Sequence, residues 1–165
     1  MSLVLRAATK ADVPVIRELI EGLADYEKLR HECIATDALL EAALFGARPY
    51  AEVVIAEWEG ASAGFALFFH NFSTFLARPG IYLEDLFVRP PYRGHGIGKA
   101  LLQYLAQQAV SRDCGRLEWS VLDWNEPALA FYRTLGARGM KDWIPHRVTG
   151  EALLTLARGD PKTLG

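Results

Sequence analysis

The chain has 165 residues, of which 51% are hydrophobic and 23% charged, with 18 basic against 20 acidic side chains. This length and composition are typical of one globular domain with a core of its own, so we expect a single domain over residues 1–165. The net charge of −2 gives no electrostatic basis for nucleic acid or an anionic membrane as a partner. We therefore expect neither partner, whereas a small cationic partner is compatible with the charge.

The N-terminal sequence predicts no targeting signal. Residues 1–6 lead into Lys10 and Asp12 without the apolar core of a signal peptide, and no apolar run is long enough to span a bilayer. Cys33 and Cys114 have no metal-ligand spacing and are expected to be reduced packing thiols, and the four histidines share no ligand spacing either. We therefore expect a cytoplasmic protein without a metal site.

The first half of the chain predicts a strand, two helices and a pair of antiparallel strands, over residues 3–7, 10–28, 36–46, 53–56 and 64–69. Thr9 makes a capping-box-like start for the first helix, and Thr36 is a second candidate cap. Gly46 is expected to end the shorter helix, and residues 59–60 to form the turn between the two strands. Residues 71–80, which contain a Pro-Gly pair, are expected to form a loop.

The second half predicts a strand over 81–88, a glycine-rich loop, a helix, a strand over 117–122, a short helix over 127–135 and one or two final strands within 138–157. Asn125 is expected to cap the short helix, and Gly136 to end it. The pairing of the final strands is left open. Because the chain shows no repeat, linker or low-complexity segment, the elements indicate one α/β domain.

The segment Tyr92–Gly98 reads Tyr-Arg-Gly-His-Gly-Ile-Gly and lies between a predicted strand and a predicted helix. Its glycines allow positive φ and a close approach of the backbone to a ligand, while free N–H groups and the helix dipole favour negative charge. Arg93 adds a cation with forked donors that suit a pyrophosphate. The segment therefore predicts an anion-binding loop, for which a plain strand-to-helix turn is the alternative.

Two common phosphate-binding motifs are excluded by the spacing of this loop. A P-loop needs a glycine five residues before Gly98 and Ser or Thr after Lys99, but Arg93 and Ala100 occupy these positions. The dinucleotide fingerprint fails because counting from Gly94 places Lys99 at its last glycine. What remains is the pattern R-G-x-G-[IV]-G after a strand that carries Glu-Asp.

This pattern resembles the acyl-CoA loop of the GNAT acetyltransferases. A second segment, Trp124–Pro127 through Phe131 and Tyr132, strengthens the resemblance, and the two segments together are similar to the spermidine/spermine (diamine) acetyltransferase branch of that superfamily. The order of the predicted elements resembles the GNAT fold over nearly the whole chain. The resemblance implies a single-domain α/β GNAT-like fold, in which helices flank a central, twisted, mixed and mostly antiparallel sheet.

The resemblance also implies acetyl-CoA as co-substrate. In the family's pattern the loop holds the CoA pyrophosphate, and backbone groups around Phe87 and Val88 hold the pantetheine and polarise the acetyl carbonyl. Asn125 matches a residue that contacts the CoA arm near the sulfur, with a role as helix cap alone as the alternative. The residues implied in CoA binding are Phe87, Val88, Arg93, Gly94, His95, Gly96, Ile97, Gly98, Lys99, Asn125 and Tyr132.

Two residues match the catalytic groups of the family. Glu84 matches the acid that accepts the proton of the amine, and Tyr132 the general acid that protonates the departing CoA thiolate. The alternatives are a solvated strand edge for Glu84 and a core aromatic position for Tyr132. Glu84 and Asp85 are neighbours on a strand, so alternation predicts that they point to opposite faces. Glu27, Glu84 and Asp85 are the candidates for binding the amine.

The activity implied by the resemblance is the transfer of an acetyl group from acetyl-CoA to a primary amine, by direct attack in a ternary complex. Polyamines, diamines and thialysine-like amino acids are the implied substrates, and a homodimer is the implied assembly. The alternatives are a protein or peptide N-acetyltransferase and a non-catalytic acyl-CoA-binding module. The presence of both Glu84 and Tyr132 argues against the module, because binding CoA needs only the loop and the strand.

Overall fold

The computed structural model describes residues 2–159. Its strands are β1 (Leu3–Ala7), β2 (Glu52–Trp58), β3 (Ala61–Ser73), β4 (Arg78–Val88) and β5 (Leu117–Trp119). Its α-helices are α1 (Val13–Tyr26), α2 (Asp37–Phe45), α3 (Ile97–Ser111), α4 (Glu126–Thr134) and α5 (Gly150–Arg158), and short 3-10 helices lie at Lys10–Asp12, Arg30–Glu32 and Pro90–Tyr92. Among these helices none is both long and apolar enough to cross a bilayer.

The five strands form one sheet in the order β1-β2-β3-β4-β5. Neighbours from β1 to β4 run antiparallel, and β4 pairs with β5 in parallel through three residues, Ile81 to Leu83. This arrangement confirms the predicted mixed, mostly antiparallel sheet flanked by helices. It also makes β4 a central strand whose two neighbours run in opposite directions.

The core lies between the sheet and the helices α1 and α3. Apolar residues recur at helical spacing along α1 and α3, so each helix buries one stripe. From α3 the buried residues are Ile97, Leu101, Leu102, Leu105 and Ala109. On the α1 side one cluster contains Ile16, Leu19, Leu44, Val53, Ile55, Phe65 and Phe87. Both helices pack close to β4.

The described chain divides into two compact units, at Leu122 and Asp123. The first unit holds the sheet with α1, α2 and α3, and the second holds α4 and α5. The single domain over residues 1–165 stays a prediction.

The loop predicted over residues 71–80 is wrong for most of its length. Strand β3 continues to Ser73 and β4 begins at Arg78, with Asn71 opposite Gly80. A Cβ atom at Gly80 would lie 2.4 Å from the Asn71 Oδ1 atom. Gly80 therefore allows the two strands to approach each other closely, whereas the Pro-Gly pair in the sequence suggested a turn. The actual turn is shorter, and the Leu76 N–H donates to Ser73 Oγ over 3.2 Å within it.

The strands predicted within 138–157 are also wrong, because residues 150–158 form helix α5. Thr149 is its extended N-cap, Glu151 lies in the first turn, Arg158 in the last, and Gly159 at φ 71 ends it. These are helix signals. The short apolar run 153–156 fits both strand and helix periods, so alternation misled the prediction. Strand β5 likewise ends at Trp119, three residues earlier than expected.

Candidate active site

Strand β4 carries the acidic pair at an interruption of its pairing. Leu83 lies opposite Phe68 and Asp85 opposite Leu67, so Glu84 is the additional residue of a β-bulge. A bulge leaves its extra residue without a partner in the ladder and redirects side chains. Glu84 is exposed and Asp85 is half-buried. Simple alternation therefore does not govern this pair, although the two side chains do have different environments.

A third carboxylate, Glu27 directly after α1, joins this acidic pair. The pKa of Asp85 is raised to about 6, chiefly by burial and then by the negative charges of Glu84 and Glu27. Burial likewise raises the pKa of Glu27, with Glu84 as the second cause. The structure thus brings together the three residues predicted for amine binding. We call Glu27, Glu84 and Asp85 the acidic cluster.

The acidic cluster is not neutralised by the chain around it. Within residues 2–159, none of its three carboxylates forms a salt bridge. Like charges held together raise the free energy of the ionised state, and a bound cation would lower it. The described residues also contain no group of three His, Cys, Asp or Glu side chains with the arrangement of a metal site. The negative charge of the cluster suits a cationic ligand.

Beyond the bulge, β4 has a backbone edge without a strand partner. The pairing of β5 with β4 ends at Leu83, so from Asp85 to Val88 the strand pairs with β3 alone among the described residues. Phe87 is 7% exposed, and its side chain belongs to the core. The predicted contribution of Phe87 to CoA binding is therefore restricted to its backbone groups.

The glycine-rich loop forms the N-terminus of α3. Gly94 and Gly96 have φ angles of 83° and 77°, in the left-handed region that glycine adopts without cost. Gly96 is the N-cap and provides no side-chain cap, and the first intrahelical bond runs from the Ala100 N–H to the Gly96 carbonyl over 3.0 Å. The N–H groups of residues 97–99 therefore have no partner within the helix and suit an anion.

This helix start lies beside β4. A Cβ atom at Gly98 would lie 3.8 Å from the Leu86 side chain and 4.0 Å from that of Val88. Ile97 is 1% exposed, so only its backbone can meet a ligand, whereas Lys99 is exposed. The loop, the free edge of β4 and the acidic cluster thus belong to one continuous region of the first unit.

Two side chains of the loop make contacts within the chain. The Arg93 Nε–H donates to the Val88 carbonyl over 2.9 Å. The His95 ring centre lies 4.7 Å from that of Trp58, and its Nδ1 atom lies 3.1 Å from the Tyr92 carbonyl oxygen. His95 is exposed, and its ring packs against Trp58 at the end of β2. Binding of the CoA pyrophosphate by these side chains stays a prediction.

Asn125 and Tyr132 belong to the second unit. Asn125 Oδ1 accepts from the Ala128 N–H over 3.4 Å, which confirms its predicted role as the cap of α4. Tyr132 is half-buried on that helix, with its ring centre 5.8 Å from that of Phe131. The contact of Asn125 with CoA and the acid role of Tyr132 stay predictions.

Sequence reasoning missed the packing of Gly22 and Tyr26 against this region. A Cβ atom at Gly22 would lie 2.7 Å from the Phe87 ring, and the Arg93 guanidinium lies 5.2 Å from the centre of the Tyr26 ring. A glycine in mid-helix costs about 1 kcal/mol relative to alanine, so its presence in α1 was a signal of close packing. No local sequence signal indicates the contact of Tyr26, because Arg93 lies 67 residues away in the chain.

Comparison with known proteins gives a family match and close relatives. The acetyltransferase (GNAT) family model matches residues 17–137, across both compact units. The L-ornithine N5-acetyltransferase of Arabidopsis thaliana is 37% identical, over 90% of this chain and 85% of its own length. The thialysine N-epsilon-acetyltransferase of Sus scrofa is 36% identical, over 94% and 98% of the two chains.

A solved structure matches the fold as well. An integron cassette protein from the mobile metagenome of V. cholerae superposes with a TM-score of 0.79 at 28% identity. The match covers 96% of this chain and 99% of that protein.

Proposed function

Since this chain belongs to the GNAT family of acetyltransferases, we propose that it transfers an acetyl group from acetyl-CoA to a primary amine of a small molecule that carries a second cationic group. Membership makes the chain an N-acetyltransferase and confirms the predicted resemblance to the family and its diamine branch. The proposal concerns the co-substrate, the class of amine and the roles of the residues.

The acidic cluster is the observation that carries the choice of substrate. Three carboxylates that form no salt bridge within residues 2–159 attract a ligand with more than one positively charged group, and a monoamine neutralises only part of that charge. L-ornithine and thialysine, for which two relatives are named, each carry two amino groups. Diamines, polyamines and basic amino acids are therefore the substrates that we propose.

Proton transfer is the chemical task of the cluster. An alkyl ammonium has a pKa near 10, so the amine must lose a proton before it attacks. We assign this proton to Glu84, which is exposed at the bulge, and the second cation to Glu27 and Asp85. A cation beside Asp85 lowers the pKa of that carboxyl and holds it ionised at neutral pH.

The region beside the cluster fits CoA. The left-handed glycines and the N–H groups of residues 97–99 suit the pyrophosphate, and the free edge of β4 suits the amides of the pantetheine arm. Bound acetyl-CoA supplies the thioester whose acetyl group is transferred by direct attack in a ternary complex. Backbone N–H groups near Phe87 and Val88 stabilise charge on the acetyl oxygen, and the Tyr132 hydroxyl protonates the thiolate.

A substrate panel tests the proposal. Release of CoA thiol is measured with L-ornithine, thialysine, spermidine, an unstructured peptide and the monoamine n-butylamine. We expect the three molecules that carry more than one ammonium group to be preferred in kcat/KM by at least about tenfold over n-butylamine. Turnover with the peptide alone would make the chain a protein N-acetyltransferase, and CoA binding without any turnover would make it a binding module.

A single substitution tests the role of the cluster in that preference. Glu27→Gln keeps the shape of the side chain and removes one charge, so KM for spermidine should rise about tenfold while KM for n-butylamine stays unchanged. Equal effects on both amines would contradict the assignment of the second cation to Glu27.

We also propose a cytoplasmic homodimer. The free thiols of Cys33 and Cys114 are compatible with a reducing compartment. Phe72 and Phe75, near the tip of the β3–β4 hairpin, are 64% and 97% exposed, which is unusual for phenylalanine and supports an association surface. Light scattering during size-exclusion chromatography tests the assembly, and a mass of one chain at micromolar concentration would contradict it.

A further inference from the structure

Arg93 lies between two aromatic rings from different elements. Its guanidinium carbon is 5.2 Å from the centre of the Tyr26 ring, on the last residue of α1, and 5.5 Å from that of Phe87 on β4. Its Nε–H donates to the Val88 carbonyl over 2.9 Å. These three contacts use the flat, forked shape of arginine, which an ammonium group does not reproduce.

The same contacts connect the two halves of the proposed site. Glu27 of the acidic cluster directly follows Tyr26, and Gly94 of the anion-binding loop directly follows Arg93. Phe87 in turn lies against Gly22 of α1, so closely that a Cβ atom there would be 2.7 Å from the ring. The end of α1 is thus held on β4 by packing and joined to the loop by one exposed arginine.

The geometry points to Arg93 as a positioning residue that joins the C-terminal end of α1 to the anion-binding loop, so that binding of CoA at the loop also orders Glu27 on the amine side. The phosphate groups are then bound by backbone N–H groups of residues 94–99, while the guanidinium stays between the rings. Two sites that share an ordered element are coupled, and each ligand favours the other. This inference rests on the proposed use of acetyl-CoA.

Hydrogen exchange with CoA as the only ligand tests this coupling. In the unaltered protein we expect saturating CoA to slow amide exchange in residues 94–99 and also in residues 24–29, by at least about threefold. In Arg93→Met, which keeps an unbranched chain but loses the cation and the Nε donor, we expect protection of the loop alone. Arg48→Met, at another exposed arginine, is the matched control and should behave like the unaltered protein.

A lysine variant separates this role from a phosphate contact. Arg93→Lys keeps the charge but lacks the planar group, so the positioning role predicts that it behaves like Arg93→Met. The ratio of the Kd values of acetyl-CoA and acetyl-pantetheine, which lacks the pyrophosphate, should change less than twofold in both variants. A phosphate ligand predicts instead a ratio that collapses about tenfold in Arg93→Met and recovers in part in Arg93→Lys.

The outcomes keep the two proposals apart. If CoA protects no segment of the unaltered protein, the proposed use of acetyl-CoA fails. If CoA protects residues 24–29 equally in Arg93→Met and in the unaltered protein, or protects only the loop in both, the positioning role is wrong and the proposed function stands. Tyr26→Leu provides a second test. Loss of the Tyr26 ring should remove the CoA-dependent protection of residues 24–29 and leave the protection of the loop unchanged.

Discussion

The segment from Tyr82 to Lys99 and the segment from Asp123 to Arg158 both carry residues predicted to act in catalysis, yet they differ in how firmly they are built. In the first, Leu83, Phe87 and Ile97 are almost fully buried and alternate with the proposed functional groups. In the second, neither α4 nor α5 contains a buried residue. Buried neighbours restrict where a side chain can lie, so the proposed groups of the first segment have a stiffer support than those of the second.

The largest expected effect lies in the first segment. Glu84→Gln keeps the shape of the side chain and removes its ability to accept a proton, so turnover should fall roughly a hundredfold or more near neutral pH. Part of the loss should be recovered as pH rises, because more of the amine is then free. The measurement is a pH–rate profile with L-ornithine and spermidine. A variant with the unaltered profile would remove Glu84 from the proton path and leave Asp85 as the acceptor.

The loop of the same segment is the next test. Gly96→Val places a β-branched residue at a φ of 77°, a conformation that valine disfavours strongly. The altered loop should no longer present its N–H groups together, and affinity for CoA should fall about tenfold to a hundredfold by calorimetry. Gly139→Val, at a glycine without positive φ in the second unit, is the control. Equal CoA affinity in both variants would contradict the anion-binding role of the loop.

The second segment carries one catalytic prediction of moderate size. Tyr132→Phe keeps the ring and its packing, so a purely structural tyrosine predicts little change. A thiol has a pKa near 8.5 and leaves fairly well unaided, so loss of the acid should reduce turnover only about tenfold, with normal affinity for acetyl-CoA. An effect as large as that of Glu84→Gln would show that the helix α4 matters as much as the stiffer strand β4. Turnover at the unaltered rate would remove Tyr132 from the mechanism.

The same contrast explains what could be predicted from the sequence. Strand β4, the glycine-rich loop and helix α3 follow from local signals in the sequence, namely an apolar run, closely spaced glycines and helical spacing. The bulge at Glu84 could not be predicted, since it depends on the register of β3, and the ring contacts of Arg93 depend on Tyr26 from a distant segment. In the second segment the cap at Asn125 was predictable. The apolar run at 153–156 fitted both the strand period and the helix period, and α5 has no buried residue that would have favoured one of them.

The smallest expected effect is on the free energy of unfolding, and it arises from the ionisation of Asp85 in the acidic cluster. The pKa of Asp85 is raised from 3.8 to about 6 in the folded protein, so the folded state binds more protons than the unfolded state between these values. Stability must therefore fall as pH rises from about 4 to about 6, and the loss is complete above the folded pKa. Asp85→Asn removes the titrating group, and its free energy of unfolding at pH 7.5 should exceed that of the unaltered protein by about 1–3 kcal/mol. At pH 4 the difference should vanish, because Asp85 is then mostly protonated in the folded state.

Urea denaturation at pH 4, 6 and 7.5 measures this difference, and Asp142→Asn at an exposed aspartate of the second unit is the control without a pH-dependent gain. Spermidine adds a further check, because a bound cation removes the cost of the ionised carboxylate. At pH 7.5 spermidine should stabilise the unaltered protein more than it stabilises Asp85→Asn. A variant that is less stable than the unaltered protein at every pH would show that Asp85 supports the bulge through its contacts. The ionised Asp85 carboxylate would then not lower the free energy of unfolding in the way that a cation-binding cluster requires.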